Sequence, residues 1–78
     1  MNDVKILVAD DEERIRRLLK MYLEREDYII DEAENGMEAI KKALENEYDL
    51  IILDIMMPEV DGIESCRIIR ETKSTPII

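Results

Sequence analysis

The sequence predicts an α/β fold in which helices cover the faces of a parallel sheet. Short, nearly continuous aliphatic runs alternate with longer amphipathic segments, and the two strongest runs end in aspartates. An unbroken aliphatic run is typical of a strand that is buried on both faces, as strands of parallel sheets are. The alternation predicts right-handed crossovers through helices. With 78 residues, the chain forms at most one domain.

The first predicted strand spans Val4 to Ala9 and stops at Asp10-Asp11. A helix follows, because apolar residues recur at the i, i+3, i+4, i+7 and i+8 spacing of one helical face. The residues of this face are Ile15, Leu18, Leu19, Tyr22 and Leu23. Arg14, Arg16, Arg17, Lys20 and Glu24 lie between them, so we predict that the other face is solvated.

The middle of the chain contains a weaker and a stronger strand. Tyr28 to Ala33 is interrupted by Asp31 and Glu32, which suits the edge of a sheet better than its centre. A turn at Asn35-Gly36 leads into a second helix, whose predicted inner face contains Met37, Ala39, Ile40, Ala43 and Leu44. Leu50 to Leu53 is four aliphatic residues in a row and predicts a fully buried strand that ends at Asp54.

The last part of the chain adds a third helix and the start of a fourth strand. The helix is predicted at about Ile63 to Thr72, and an apolar run begins at Ile77-Ile78. An apolar strand with an open edge favours pairing with another chain. We therefore expect self-association, in which another copy covers Leu50 to Leu53 and Ile77-Ile78.

Composition narrows the class of partner. The chain has 20 acidic and 11 basic residues and a net charge of −9, which argues against binding of nucleic acid by this segment. Cys66 is the only cysteine, so an internal disulfide is impossible. The sequence has neither a signal peptide pattern nor an apolar run of membrane-spanning length. We expect a cytoplasmic protein with no membrane contact.

The acidic strand ends are the candidate functional site. In open parallel sheets, ligands bind beyond the carboxyl ends of the strands, where Asp10, Asp11 and Asp54 would meet. Three close carboxylates repel one another, and a hard cation such as Mg²⁺ removes that conflict. Each aspartate alone is better explained as a solvated turn or cap residue. All three together, each after a buried run, favour the metal site.

Other chemistries find little support. The two glycines, Gly36 and Gly62, form no phosphate-binding loop, and the absence of histidine excludes Ser-His and Cys-His nucleophiles. An EF-hand starting at Asp54 fails because Met56 and Pro58 cannot donate side-chain oxygens. A carboxylate nucleophile beside a metal, which can form an aspartyl-phosphate, remains.

Two segments of the sequence, and the distance between them along the chain, resemble those of a known family. Ile6 to Glu12, which reads ILVADDE, and Asp54 to Gly62, which reads DIMMPEVDG, resemble the receiver domain of two-component response regulators. Ala33 to Gly36, Tyr48 to Ile51 and Thr75 to Ile78 add to the resemblance, which covers essentially the whole chain. The sequence as a whole is most similar to the winged-helix transcription-factor branch of that family.

The resemblance implies a phosphoacceptor signalling domain rather than an enzyme. It implies that Asp54 takes a phosphoryl group from a phosphohistidine on a sensor histidine kinase. It also implies that Mg²⁺ is held by Asp11, Asp54 and the backbone carbonyl of Met56, with Asp10 assisting.

The chain also departs from the family pattern. A receiver has a flavodoxin-like fold of five strands in the order 2-1-3-4-5 and five helices. The last strand and the last two helices are not assigned in residues 1–78, nor are the Ser or Thr and the Lys that contact the phosphoryl group in the family. We expect a partial receiver domain without an output domain and with impaired switching. The alternative is a non-signalling assembly module that self-associates through its sheet edge.

Overall fold

The computed structural model describes residues 3–54 and 62–78. These residues form, in chain order, β1 (Lys5–Ala9), α1 (Glu13–Glu24), β2 (Ile29–Ala33), α2 (Gly36–Glu45), β3 (Leu50–Leu53) and α3 (Gly62–Thr72). The strands are parallel and lie in the order β2-β1-β3. The predicted α/β fold is confirmed, as is the edge position predicted for the polar strand β2.

The final apolar run lies along the outer side of β3. Ile77 forms a single parallel bridge with Ile51, and the Ile78 amide donates a hydrogen bond of 2.9 Å to the Ile51 carbonyl. The Leu53 amide donates to the Ile78 carbonyl at 3.1 Å. This run therefore takes the place that the predicted fourth strand would have. Its pairing with another copy of the chain stays a prediction.

The sheet has an apolar cluster on each face, because successive side chains of a strand point to opposite sides. On one face, Leu7 and Ala9 of β1 pack with residues of α2 and α3, among them Ala39 and Ile69. On the other face the residues are Ile6, Val8, Ile30, Leu19 and Leu23, the last two from α1. The helices therefore cover both faces, as in a doubly wound fold.

The inner face of α1 differs from the predicted one. Leu19 and Leu23 are partly buried against the sheet, but Leu18 is 49% exposed and Tyr22 is 59% exposed. Arg16, predicted to be solvated, is only 9% exposed. The helix is rotated about its axis so that positions 16, 19 and 23 face the sheet, since polar partners are available for the guanidinium of Arg16.

The inner face of α2 is narrower than predicted. Ala39 and Ala43 are buried and Ile40 is partly buried, whereas Met37 and Leu44 are more than one-third exposed. Small residues at the buried positions allow the helix to approach the sheet closely, which leaves the flanking larger side chains outside. Within the described ranges, none of the helices has both the length and the apolar character that crossing a bilayer requires.

Candidate functional site

The site lies where β1 and β3 end. Ala9 and Leu53 are the last residues of these adjacent strands and are register partners. The residues that follow them, Asp10 and Asp54, are held by backbone hydrogen bonds across the sheet. The Asp54 amide donates to the Ala9 carbonyl at 3.0 Å, and the Asp10 amide donates to the Ala33 carbonyl at 3.1 Å. The sheet therefore fixes the two aspartate backbones side by side.

The structure brings together three of the predicted site residues, Asp10, Asp11 and Asp54. We call them the acidic cluster. One carboxylate oxygen from each lies within 4.8 Å of the other two. Asp10 and Asp54 are half-buried, and Asp11 is exposed. The fourth predicted ligand, the backbone carbonyl of Met56, lies outside the described residues.

The oxygen donors of the acidic cluster fit a hard divalent cation. Mg²⁺ binds oxygen at about 2.1 Å in octahedral geometry, so oxygens at adjacent positions are about 3.0 Å apart. An upper limit of 4.8 Å lets the three carboxylates share one ion, directly or through water. Three negative charges at this range also repel one another, which a cation between them would reverse.

The loop that carries Asp10 and Asp11 is ordered by polar contacts. The Oδ1 atom of Asp10 accepts a hydrogen bond of 2.8 Å from the Glu12 amide, which closes a local side-chain turn. Nη1 of Arg16 donates to the Asp10 carbonyl oxygen at 2.8 Å, and Nε of Arg16 donates to Oε1 of Glu32 at 3.1 Å. The first turn of α1 and the edge strand β2 thus hold this loop.

Sequence reasoning did not identify Arg16 and Glu32 as part of the site. A signal was present in β2, where Glu32 falls on the same face as the buried Ile30 and so has to find a polar partner. Lys20 is a second partner, with its Nζ atom 3.5 Å from Oε2 of Glu32. Nothing in the sequence alone distinguished Arg16 from the other basic residues of α1.

Comparison with known proteins identifies the class. The family model of the response regulator receiver domain matches residues 6–78, nearly the whole chain. The chain therefore belongs to the response regulator receiver domain family, whose members are signalling proteins.

Individual relatives agree with this assignment. The chain is 74% identical over 77 residues to the transcriptional regulatory protein ResD of Bacillus subtilis, covering 99% of this chain and 32% of ResD. It thus spans about a third of the length of that curated relative. The response regulator TrrA of Thermotoga maritima, solved in complex with Mg²⁺-BeF, is 51% identical with a TM-score of 0.87, over 95% of this chain and 65% of TrrA.

A second structure of TrrA contains a partner. In that structure TrrA is in complex with the histidine kinase ThkA. The matching chain of the complex is 52% identical to this chain, with a TM-score of 0.89. The match covers 95% of this chain and 65% of the solved chain. The receiver fold of this chain and that of TrrA are therefore closely similar over the described strands and helices.

Proposed function

We propose that this chain is a phosphoacceptor, in which the Asp54 carboxylate takes a phosphoryl group from a phosphohistidine of a sensor histidine kinase. The observation that carries the proposal is the acidic cluster, with carboxylate oxygens of Asp10, Asp11 and Asp54 within 4.8 Å of one another. In the transfer, a carboxylate oxygen of Asp54 bonds to phosphorus while the bond from phosphorus to the imidazole nitrogen breaks.

The acidic cluster would hold Mg²⁺ through Asp11 and Asp54, with Asp10 assisting and the Met56 carbonyl as a further ligand by resemblance to the family. When bound, the ion neutralises the phosphoryl oxygens and so makes their approach to a chain of net charge −9 favourable. The residues of the chain supply position. Asp54 is placed by the hydrogen bond between its amide and the Ala9 carbonyl, at the end of β3, in which Ile51 and Leu53 are buried.

Proteins similar to this chain support a histidine kinase as the phosphoryl donor and regulation of transcription as the process. TrrA has been solved both with Mg²⁺-BeF and with a histidine kinase, and ResD is named a transcriptional regulatory protein. By analogy, the donor is a sensor histidine kinase, and the longer protein to which such a receiver belongs regulates transcription. In this role the chain is a signalling domain, and the only phosphoryl transfer that it assists is the transfer to its own Asp54.

Intact-mass spectrometry tests the proposal. The chain is incubated with Mg²⁺ and phosphoramidate, a small donor whose P–N bond resembles that of phosphohistidine. We expect a mass increase of one phosphoryl group, lost in Asp54→Asn and in the presence of a chelator. Glu26→Gln removes an exposed carboxylate away from the acidic cluster and should be labelled like the parent. Labelling of Asp54→Asn would contradict the assignment of the acceptor.

A second candidate is an assembly module that self-associates through its sheet edge. The observation in its favour is the exposed apolar end of the outermost segment, where Ile78 is 76% exposed next to its hydrogen bonds with β3. Light scattering tests it: a concentration-dependent dimer that is not labelled by phosphoramidate supports the module. A chain whose molecular mass from light scattering stays that of a monomer over the same concentration range contradicts it.

A further inference from the structure

Among the residues that the structure describes, Arg16 is the most buried charged side chain near the acidic cluster. The residue is 9% exposed, although it lies on a helix whose other basic residues are more exposed. Its guanidinium makes two directed contacts, from Nη1 to the Asp10 carbonyl at 2.8 Å and from Nε to Oε1 of Glu32 at 3.1 Å. A buried guanidinium needs such partners, because an unpaired charge in the interior is costly.

These contacts join three separate segments of the chain. Arg16 belongs to α1, Asp10 to the loop after β1, and Glu32 to the edge strand β2. The planar fork of an arginine fixes the relative orientation of its two acceptors, which a single ammonium group does not. Glu32 is itself held by Lys20, so the acceptor on β2 is constrained from two sides.

The contact with the Asp10 carbonyl reaches the acidic cluster through the backbone. That carbonyl is part of the planar peptide unit that joins Asp10 to Asp11, so holding its oxygen fixes the direction in which the chain enters Asp11. Two other polar atoms of Asp10 are engaged as well: its amide donates to the Ala33 carbonyl, and its Oδ1 atom accepts from the Glu12 amide. Among these contacts, only that from Arg16 acts on the peptide unit between the two aspartates.

We infer that Arg16 is a positioning residue, which sets the direction of the Asp10 and Asp11 carboxylates for binding of a divalent cation. The inference rests on the proposed function, since it concerns the same metal site. Arg16 touches neither the ion nor the phosphoryl group in this role; it acts through the backbone of the loop. Groups that orient metal ligands in this way commonly change metal affinity by about 10- to 100-fold when removed.

The sign of the effect separates positioning from simple electrostatics. Loss of a positive charge near three carboxylates makes the local potential more negative, which by itself strengthens binding of Mg²⁺. Loss of positioning weakens it. Arg17 is the matched control, because it is the next residue on the same helix, its side chain is 71% exposed, and it pairs with Glu13 at 2.8 Å.

The experiment is calorimetric titration of Mg²⁺ into the parent, Arg16→Gln, Arg17→Gln and Arg16→Lys, with circular dichroism of each protein under the same conditions. We expect Arg16→Gln to bind at least about tenfold more weakly than the parent. Arg17→Gln should bind as tightly as the parent or more tightly. Arg16→Lys keeps the charge but not the fork and should fall between the parent and Arg16→Gln.

The outcomes distinguish failure of this inference from failure of the proposed function. Equal affinities of Arg16→Gln and Arg17→Gln, with Mg²⁺ bound by the parent, overturn the role of Arg16 and leave the metal site intact. A parent that binds no Mg²⁺ overturns the proposed metal site itself. If Arg16→Gln is unfolded, Arg16→Lys decides: weaker binding than the parent by a folded protein supports positioning, and equal binding overturns it.

Discussion

Asp54→Asn should make the chain more stable when Mg²⁺ is absent, even though it removes the proposed acceptor. The substitution deletes one of three like charges whose nearest oxygens lie within 4.8 Å. Two unit charges at 4.8 Å repel by about 0.9 kcal/mol in water and by about 3.5 kcal/mol at an effective dielectric constant of about 20. Because Asp11 is exposed, the site is partly open to solvent, and we expect a gain of about 1 kcal/mol.

Urea unfolding followed by circular dichroism measures this difference. The parent, Asp54→Asn and Glu26→Gln are compared at low salt, with and without Mg²⁺, since salt screens repulsion between partly exposed charges. Glu26→Gln changes the net charge equally but lies outside the acidic cluster. At ten times its dissociation constant, Mg²⁺ should stabilise the parent by about 1.4 kcal/mol and Asp54→Asn by much less. At saturating Mg²⁺, the difference in the free energy of unfolding between Asp54→Asn and the parent should therefore become smaller or change sign.

Two results would refute the reasoning. If Glu26→Gln gains as much as Asp54→Asn without Mg²⁺, the gain reflects net charge rather than repulsion within the acidic cluster. If Mg²⁺ stabilises Asp54→Asn as strongly as the parent, the Asp54 carboxylate is not a ligand of the ion. Asparagine keeps the size and one oxygen acceptor of aspartate, so loss of packing does not obscure either comparison.

Two further predictions concern the surroundings of the site. Oδ1 of Asn35 caps α2 by accepting from the Glu38 amide at 2.8 Å, so Asn35→Ala should lower the free energy of unfolding by about 1 kcal/mol in urea, and Asn35→Asp should not. Equal losses in both variants would exclude the cap. Burial and the hydrogen bond to Asp31 raise the pKa of the Tyr48 hydroxyl, so the folded chain keeps this proton where the unfolded chain releases it. Stability should therefore fall as the pH rises above about 10, and urea midpoints should fall less steeply in Tyr48→Phe. Parallel declines in the two proteins would contradict this.

The strands could be predicted from the sequence because their burial is a local pattern. The predicted and observed bounds of the strand from Leu50 to Leu53 agree, but Leu50 and Ile52 are only partly buried, so the prediction of a fully buried strand was wrong for one of its two faces. The same argument located the acidic cluster. Asp10 and Asp54 directly follow buried runs, and parallel neighbouring strands must bring their carboxyl ends to one edge.

The rotation of α1 could not be predicted, because apolar spacing describes a helix but not what lies beneath it. Ile15 and Leu18 satisfy the apolar spacing, yet both are more than 40% exposed, whereas Arg16 is buried. The cost of burying a guanidinium is offset only by acceptors that come from distant parts of the chain, Asp10 and Glu32. Such partners become visible only when the strands are assembled.

The two acidic residues that weaken β2 as a sequence pattern make polar contacts on both faces of the sheet, one to the loop before β3 and one to α1. Asp31 and Glu32 are consecutive, so their side chains point to opposite faces of the sheet. On one face Asp31 accepts a hydrogen bond of 2.7 Å from the Tyr48 hydroxyl, and on the other Glu32 pairs with Arg16. An edge strand has a neighbour on one side only, so polar contacts through its faces add restraint that a second neighbour would otherwise provide. The contact through Glu32 continues to the Asp10 carbonyl, and the polar character of this edge therefore bears on the geometry of the acidic cluster.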